Sequence, residues 1–362
     1  MKSDPRPLWL FLVLMLGSPA LGAQQEFASE QLRKWLKRYP DADTNHDGTL
    51  SMDEARAYRQ KLAKSGKGPG ARAALPIPTH ANVKYGPHKS NVLDLWLAKY
   101  DRPTPLLVFI HGGGFVGGDK RQARPDAIKR CLEAGVSFMS INYRFRKDAP
   151  VQDILCDAAR AIQFIRLNAV QYNLDPKRIA SYGGSAGAGT SLWLAVHDDL
   201  ADPKSDDPVL RQSSRIVAAG CVNGQATYDL VEWQQLIGKF KPEWYQGPDE
   251  DVKFYHFKSR DDFKTLAGQK ILDDCSMFRQ ITRDDAPVFM TCSLPGGEPK
   301  NRGHLLHHPR HMEVVRQRCD EVGVEAHAVS TAGKDRAQGT GQEDLLNFLL
   351  RHLGAATQPS TQ

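Results

Sequence analysis

Two glycine-rich segments carry residues whose spacing suits attack on a carbonyl carbon. His111-Gly112-Gly113-Gly114-Phe115 follows the apolar run Leu106–Ile110, and Gly183-Gly184-Ser185-Ala186-Gly187 follows Arg178–Tyr182. A serine raised on a strand-to-helix turn presents its Oγ as a nucleophile. Backbone N–H groups close by hold the oxygen that turns negative as the serine adds. Gly183 and Gly187 stand at −2 and +2 from Ser185, where strand and helix pass too close for side chains. Ala186 offers its N–H from the first helical turn, where donors lack an intrahelical partner and the dipole favours an anion. Gly113 and Gly114 have no Cβ, so their N–H groups can reach the same oxygen. Ser185 is thus the candidate nucleophile, and Gly113, Gly114 and Ala186 are the candidate oxyanion donors.

A second constellation suits a metal ion. Asp43-Thr44-Asn45-His46-Asp47-Gly48-Thr49-Leu50-Ser51-Met52-Asp53-Glu54 fits the twelve-residue EF-hand loop at each ligand position. Asp43, Asn45 and Asp47 supply side-chain oxygens, Thr49 its carbonyl, Ser51 a water, and Glu54 both carboxylate oxygens, while Gly48 allows the sharp turn. The expected ion is Ca2+ in a structural role of modest affinity. Leu32, Trp35, Leu36 and Tyr39 recur at helical spacing before the loop, and a helix continues from Ala55 to Leu62 after it. EF-hands usually pair, and the chain contains one such loop.

From about Ala81 to about Leu353 the sequence resembles the α/β-hydrolase carboxylesterases, on the bacterial esterase and hormone-sensitive-lipase-like side. The resemblance rests on the two glycine motifs, Gly117-Gly118-Asp119-Lys120, Ile141-Asn142-Tyr143-Arg144, and Asp175-Pro176-Lys177-Arg178-Ile179. It extends to Gly184–Thr190 followed by His197-Asp198-Asp199, similar to a subgroup of secreted bacterial hydrolases. It implies an α/β-hydrolase fold and hydrolysis of a small or plant-derived carboxylic ester.

Ser185 then needs a base, and the base an orienting acid. The family places the histidine in the loop after the last strand. Here that loop, Thr331-Ala332-Gly333-Lys334-Asp335-Arg336-Ala337, has none. His327 lies within the strand, roughly 13 Å from the loop at a strand's rise per residue. The acid usually follows the strand Pro287–Cys292, but the chain continues Ser293-Leu294-Pro295-Gly296-Gly297-Glu298. Candidate bases are His304, His307 and His308 in the same long loop; candidate acids are Asp229 and Glu298. The order Ser185, Asp229, His307 keeps the usual serine–acid–histidine sequence. His111, inside the oxyanion motif, reads as a brace for that loop.

The elements that must position these groups alternate strand and helix. Strands are expected at Val83–Tyr85, Val92–Ala98, Leu106–Ile110, Val136–Tyr143, Arg178–Tyr182, Ile216–Val222, Pro287–Cys292 and Glu325–Ser330. Helices are expected at Pro125–Ala134, Val151–Gln171, Ala186–Val196, Pro309–Val322 and Gln342–Leu353. Early strands leave no room for intervening helices and later ones do, which predicts a mostly parallel sheet with an antiparallel start, flanked by helices. The rhythm breaks over 225–283, where Tyr228, Trp233, Phe240, Trp244, Tyr245, Phe254, Tyr255, Phe257 and Phe263 suggest an insertion covering the site. The organisation expected is a signal peptide over 1–23, an EF-hand helix–loop–helix over 24–63, a linker over 64–78, the α/β-hydrolase domain over 79–354 and a disordered tail over 355–362.

Composition narrows the classes. The 362 residues are 41% hydrophobic, an ordinary share for a globular protein, with a net charge of +6. Removing Lys2, Asp4 and Arg6 with the signal leaves +5, which does not argue for nucleic acid. Lys2 and Arg6 precede the apolar Leu8–Leu16, too short to span a bilayer, and Ala20-Leu21-Gly22-Ala23 offers a cleavage site near Gly22/Ala23. Export with no stable membrane anchor follows as an expectation. The six cysteines lie in strand and helix patterns without a C-x-x-C pair, which favours buried free thiols over disulfides or zinc. The leading reading is a secreted serine ester hydrolase with a calcium loop. Its rivals are a catalytically impaired hydrolase fold that binds ligand, and a calcium-dependent extracellular interaction protein.

Overall fold

In the computed structural model of the chain, the described residues are 32–33, 35–37, 39–55, 57–58, 74–241, 244, 249–332 and 344–355. The expected signal peptide, the linker up to residue 73, the segment 333–343, Tyr245 and all but the first residue of the expected tail lie outside them. The chain divides into two compact units, Met1–Ala74 and Leu75–Gln362.

In the first unit, helical residues stand on both sides of the acidic loop, at 32–33 and 35–37 before it and at 52–55 and 57–58 from its end onward. Tyr39 links the two sides through its ring, 5.2 Å from Trp35 and 6.0 Å from Tyr58. Leu50 is buried, as an apolar pin should be.

In the second unit, eight strands form one sheet: β1 His80–Lys84, β2 Val92–Trp96, β3 Thr104–Ile110, β4 Ser137–Ile141, β5 Leu174–Gly184, β6 Ala219–Val222, β7 Val288–Cys292 and β8 Ala326–Ser330. Their order is β1-β2-β4-β3-β5-β6-β7-β8. β2 pairs antiparallel with β1 and β4, and every other pairing is parallel. Apolar clusters cover both faces, which is why β3 and β4 read as unbroken buried runs rather than alternating ones.

All eight expected strands form, with shifted ends. β6 starts three residues late, at Ala219, and β5 starts early because Leu174 pairs with Thr104 across a register shift. Helices α1 Pro125–Glu133, α2 Val151–Leu167 and α3 Ala186–Val196 follow the expected pattern, though α2 stops four residues short of Gln171. The span 225–283 is helical: α4 Leu230–Leu236, α5 Glu250–Tyr255, α6 Leu266–Asp274 and α7 Met277–Gln280. A short α8, Arg302–Leu306, precedes α9 Arg310–Val322, and α10 Leu345–His352 closes the unit. Among the described residues no helix is long and apolar enough to cross a membrane. All six cysteines are free, and five of them are buried.

Candidate active site

Ser185 sits between β5 and α3 with φ 54° and ψ −120°, a conformation that costs a non-glycine residue energy and is retained where neighbours enforce it. The neighbours are backbone. A Cβ on Gly183 would lie 2.4 Å from Ile110 O, and one on Gly187 would lie 2.0 Å from the same oxygen. β3 therefore presses against the elbow from one side. From the other, Ser185 N–H donates to Val222 O at the end of β6, at 2.9 Å. Gly189, one turn along α3, is small for a different reason: a Cβ there would meet the Tyr228 hydroxyl at 2.1 Å.

The oxyanion loop lies against this turn. A Cβ on Gly112 would come 2.6 Å from Gly184 O and 3.3 Å from Ser185 Cβ. Gly113, at φ 120°, holds a conformation that favours glycine. His111 is fully buried beneath the loop, stacked 4.2 Å from Tyr143, with its Nδ1 2.8 Å from Gly112 O. Tyr143 Oη donates to His111 O at 2.5 Å. Burial holds the His111 pKa below its ordinary value. His111 is therefore a neutral brace.

Gly113, Gly114, Ser185, Ala186 and His307 all line one pocket of 340 Å³. Residues of the 225–283 insertion wall it: Tyr228, Trp233, Trp244, Phe254 and Tyr255. Phe115, Tyr228 and Phe254 pack ring to ring there, at 5.5–5.9 Å. Tyr255, Phe257 and Phe263 form a cluster of their own beside it.

The three candidate histidines separate cleanly. His304 puts Nε2 2.7 Å from Pro295 O and receives Lys300 N–H on Nδ1 at 3.2 Å. His308 puts Nε2 2.7 Å from Gly297 O and receives Arg310 N–H on Nδ1 at 3.1 Å. Both rings spend both nitrogens on tying down the loop between β7 and α9, so neither is available to Ser185. His307 differs. Its Nδ1 lies 2.8 Å from Asn223 O and 3.3 Å from the Gln225 amide nitrogen. These contacts ask for opposite tautomers. The carbonyl can only accept and is nearer, and the Gln225 amide has a closer acceptor in Leu306 O at 2.6 Å, so Nδ1 carries the proton. Nε2 keeps its lone pair. Burial, and after it the Arg302 cation, hold His307 below the usual imidazole value, against the opposing pull of Asn223 O. Among the described residues Ser185 Oγ makes no hydrogen bond, so the serine and His307 line one pocket with no hydrogen bond between them.

Neither expected acid meets a histidine. Asp229 is the N-cap of α4 and accepts Val231 N–H at 2.8 Å. Glu298 is exposed on the loop. His327 stacks on Phe289 and pairs with Glu325 on the edge strand. Of the loop after β8, Thr331 and Ala332 are described, and Thr331 N–H donates to Cys292 O at 2.7 Å.

The orienting group in front of His307 is thus a main-chain carbonyl, which side-chain patterns do not reveal. Asn223, at φ 51°, receives the chain from β6, donates its N–H to Thr291 O, and accepts Ser293 N–H on Oδ1. One residue thereby ties the carboxyl ends of β6 and β7 together and aims its carbonyl at His307. The left-handed conformation, which asparagine tolerates well, is the signal that was available in Asn223-Gly224.

In the acidic loop, Asp43 accepts Asp47 N–H at 3.2 Å and Gly48 N–H at 2.9 Å. Asn45 Oδ1 accepts Asp47 N–H, and Asp47 Oδ1 accepts the N–H and hydroxyl of Thr49. Glu54 bridges the loop, from Thr44 at 2.9 Å to the Ser51 hydroxyl at 2.7 Å. Those bonds, Ser51 foremost, lower its pKa to about 2. Among the described residues no three acidic, histidine or cysteine side chains are grouped closely enough to hold an ion.

Comparison with known proteins agrees with this architecture. Esterase LipQ of Mycobacterium tuberculosis is 30% identical over 171 residues, 45% of this chain and 38% of that one. A probable isoprenylcysteine alpha-carbonyl methylesterase of Arabidopsis thaliana is 29% identical over 163 residues, 44% and 34% of the two chains. The match thus spans little more than a third of either relative. Among solved structures, a truncated carbohydrate esterase from gut microbiota superposes with a TM-score of 0.60 at 18% identity, covering 78% of this chain and all of that one. A thermophilic esterase from Thermogutta terrifontis gives 0.52 at 20% identity, over 76% and 93%. At such identities these two show the fold alone. The BD-FAE family model matches residues 93–288, more than half of the chain, from β2 to the start of β7, and this α/β-hydrolase-fold chain belongs to the BD-FAE family.

Proposed function

We propose that the protein is a serine ester hydrolase working through Ser185 and His307. Ser185 Oγ adds to the acyl carbon of a bound ester while its proton passes to His307 Nε2. The carbonyl oxygen becomes an oxyanion, held by the N–H groups of Gly113, Gly114 and Ala186. Collapse breaks the bond to the alcohol oxygen, which takes the proton from His307, leaving an acyl-serine. Water then adds with His307 again as base, and the acid departs as Ser185 recovers its proton. The Asn223 carbonyl stands where a carboxylate would orient the imidazole. It fixes the tautomer but carries no full charge to stabilise the imidazolium, so turnover should be slower than in a full triad.

The observation that carries this reading is the shared pocket: nucleophile, oxyanion donors and one histidine with a free Nε2 line the same 340 Å³. Aromatic walls suit a small ester with a flat acyl group or a sugar, in keeping with the carbohydrate esterase and plant methylesterase among the similar proteins. The test is hydrolysis of a short-chain aryl ester by the wild type and by Ser185→Ala. A loss of about 10⁴-fold is expected for the variant. Wild-type turnover no faster than the variant's would support the ligand-binding alternative, which gains from the missing hydrogen bond between Ser185 and His307.

The acidic loop suits a hard cation by its all-oxygen donor set, and Gly48 at φ 79° gives the turn such loops need. Asp43, Asn45, Asp47, Ser51, Glu54 and the Thr49 carbonyl would hold Ca2+, exchanging their present bonds within the loop for the ion. The ion's contribution there is to stabilise the fold. Export after cleavage near Gly22/Ala23 completes the proposal, on the strength of the apolar Leu8–Leu16; its test is the mature amino terminus of the expressed protein.

A further inference from the structure

The eight residues from His111 to Gly118 include five glycines. Such a segment has little conformational preference of its own. Gly113 and Gly114 are exposed, so burial does not hold them either. Oxyanion donors must nevertheless be aimed at one point before the charge develops there. What aims them comes from outside the segment.

The chain leaving β4 ties this segment at three places. Tyr143 Oη donates to His111 O at 2.5 Å, where the segment begins. Arg146 N–H donates to Phe115 O at 2.7 Å, at its middle. Asn142 Oδ1 accepts Lys120 N–H at 2.5 Å, just past its end, and Asn142 Nδ2 donates to Asp119 Oδ2 at 3.3 Å. The middle tie falls at a strained place, since Phe115 has φ 59°, left-handed and uncommon for an aromatic residue. Between the ties the segment turns back on itself. Val116 N–H donates to Gly113 O at 3.1 Å. A Cβ on Gly113 would lie 2.0 Å from Gly117 O, and one on Gly118 would lie 2.4 Å from Gly112 O. The two limbs are pressed backbone to backbone, so moving either end moves Gly113.

The ties are themselves anchored. Tyr85 Oη donates to Asn142 O at 2.5 Å. Lys120 Nζ is buried against Asp94 Oδ2 at 2.6 Å, and Ser140 Oγ donates to Lys120 O at 2.7 Å. Tyr143 is buried, with its ring stacked on His111. Neither Asn142 nor Tyr143 lines the Ser185 pocket.

We propose that Asn142 and Tyr143 are positioning residues of the oxyanion hole, acting through the glycine segment; this rests on the function proposed above. Losing a tie lowers the stabilisation of the transition state. Ground-state binding, which the pocket walls supply, stays as it was.

The test is Tyr143→Phe in the full chain, which removes one oxygen and keeps the stacked ring. For a short-chain aryl ester, kcat should fall about 10- to 100-fold while KM stays within about twofold. Inhibition by trifluoroacetophenone should weaken by a like factor. Its carbonyl oxygen becomes an oxyanion when Ser185 Oγ adds to the carbonyl carbon and the serine proton passes to His307. Acetophenone, which is not activated for addition, should inhibit both proteins equally. The pH midpoint set by His307 should not move. Amide exchange at Val116 and Arg146, whose bonds the substitution does not itself remove, should speed up. Tyr182→Phe is the control, deleting a buried hydroxyl of β5 that has no hydrogen-bond partner among the described residues, and it should change none of these readings. Should Tyr143→Phe fail to fold, Asn142→Ala is read in the same way. Wild-type exchange at both amides in the folded variant overturns the proposal. So does a loss confined to KM, or faster exchange with kcat intact. Faster exchange in the variant together with no turnover by the wild type supports the ties and refutes the ester hydrolase reading.

Discussion

The two sides of the site are built by different means. On the nucleophile side, β3, β5 and α3 come so close that backbone atoms forbid any side chain at Gly183 and Gly187. The geometry there follows from sterics among neighbours, and little else could fold the segment otherwise. On the base side, the loop from Ser293 to Pro309 has no strand or long helix to hold it. Side chains hold it instead: His304 and His308 on carbonyls of their own loop, His307 and Ser293 on Asn223. The contrast teaches that the same residue type can serve as staple or as base a few positions apart. The carbonyl each ring faces, and which nitrogen it leaves free, decides between the two.

The sharpest way to break the contrast is from the nucleophile side. Gly187→Ala drives a Cβ into Ile110 O, which cannot move without β3, so a loss of about 1–3 kcal/mol of stability is expected with nearly all activity. A thermal melt and an ester assay check it; wild-type behaviour in both would refute the close approach. On the base side, His304→Ala and His308→Ala each remove two hydrogen bonds from a buried ring to the loop backbone, costing about 1–3 kcal/mol, but should leave most of kcat in whatever remains folded. Their melting temperatures and kcat, read together, distinguish staple from base.

His311 sharpens the picture by pH. It is buried on α9 with its pKa lowered by burial to about 3. The unfolded chain takes up a proton there below the ordinary imidazole value of 6.5 and the folded one does not. Stability is therefore complete above 6.5 and drains away as pH falls toward 3. Denaturant melts between pH 4 and 7 should show that acid limb, and His311→Leu should flatten it. The smallest effect is expected in the first unit. Glu54→Gln should weaken Ca2+ binding and leave ester hydrolysis untouched, and no calcium heat at millimolar levels in the wild type would end the metal reading.

What was legible in the sequence follows the same division. The strands, the elbow and the oxyanion loop are written in contiguous glycines and apolar runs, because local sterics impose them. The helical make-up of the insertion was not legible: its aromatics serve both a pocket wall and a cluster of their own, which blurs any period. The acid was sought among carboxylates, at Asp229 and Glu298, and the structure has a cap at one and solvent around the other. Asn223 was invisible because a carbonyl belongs to every residue, and only the fold says where one points.

The central claim is that His307, and not its neighbours, activates Ser185. The direct measurement is the rate at which a fluorophosphonate labels Ser185 in wild type, His307→Ala, His304→Ala and His308→Ala, followed from pH 5 to 8. In the wild type, labelling should rise with pH through a midpoint below 6.5 and then stay level, because burial and Arg302 keep His307 neutral. His307→Ala should label about 100-fold or more slowly and lose that midpoint, while the folded fractions of the other two variants keep both rate and profile. A His307→Ala protein that labels at the wild-type rate with the same midpoint would contradict the account.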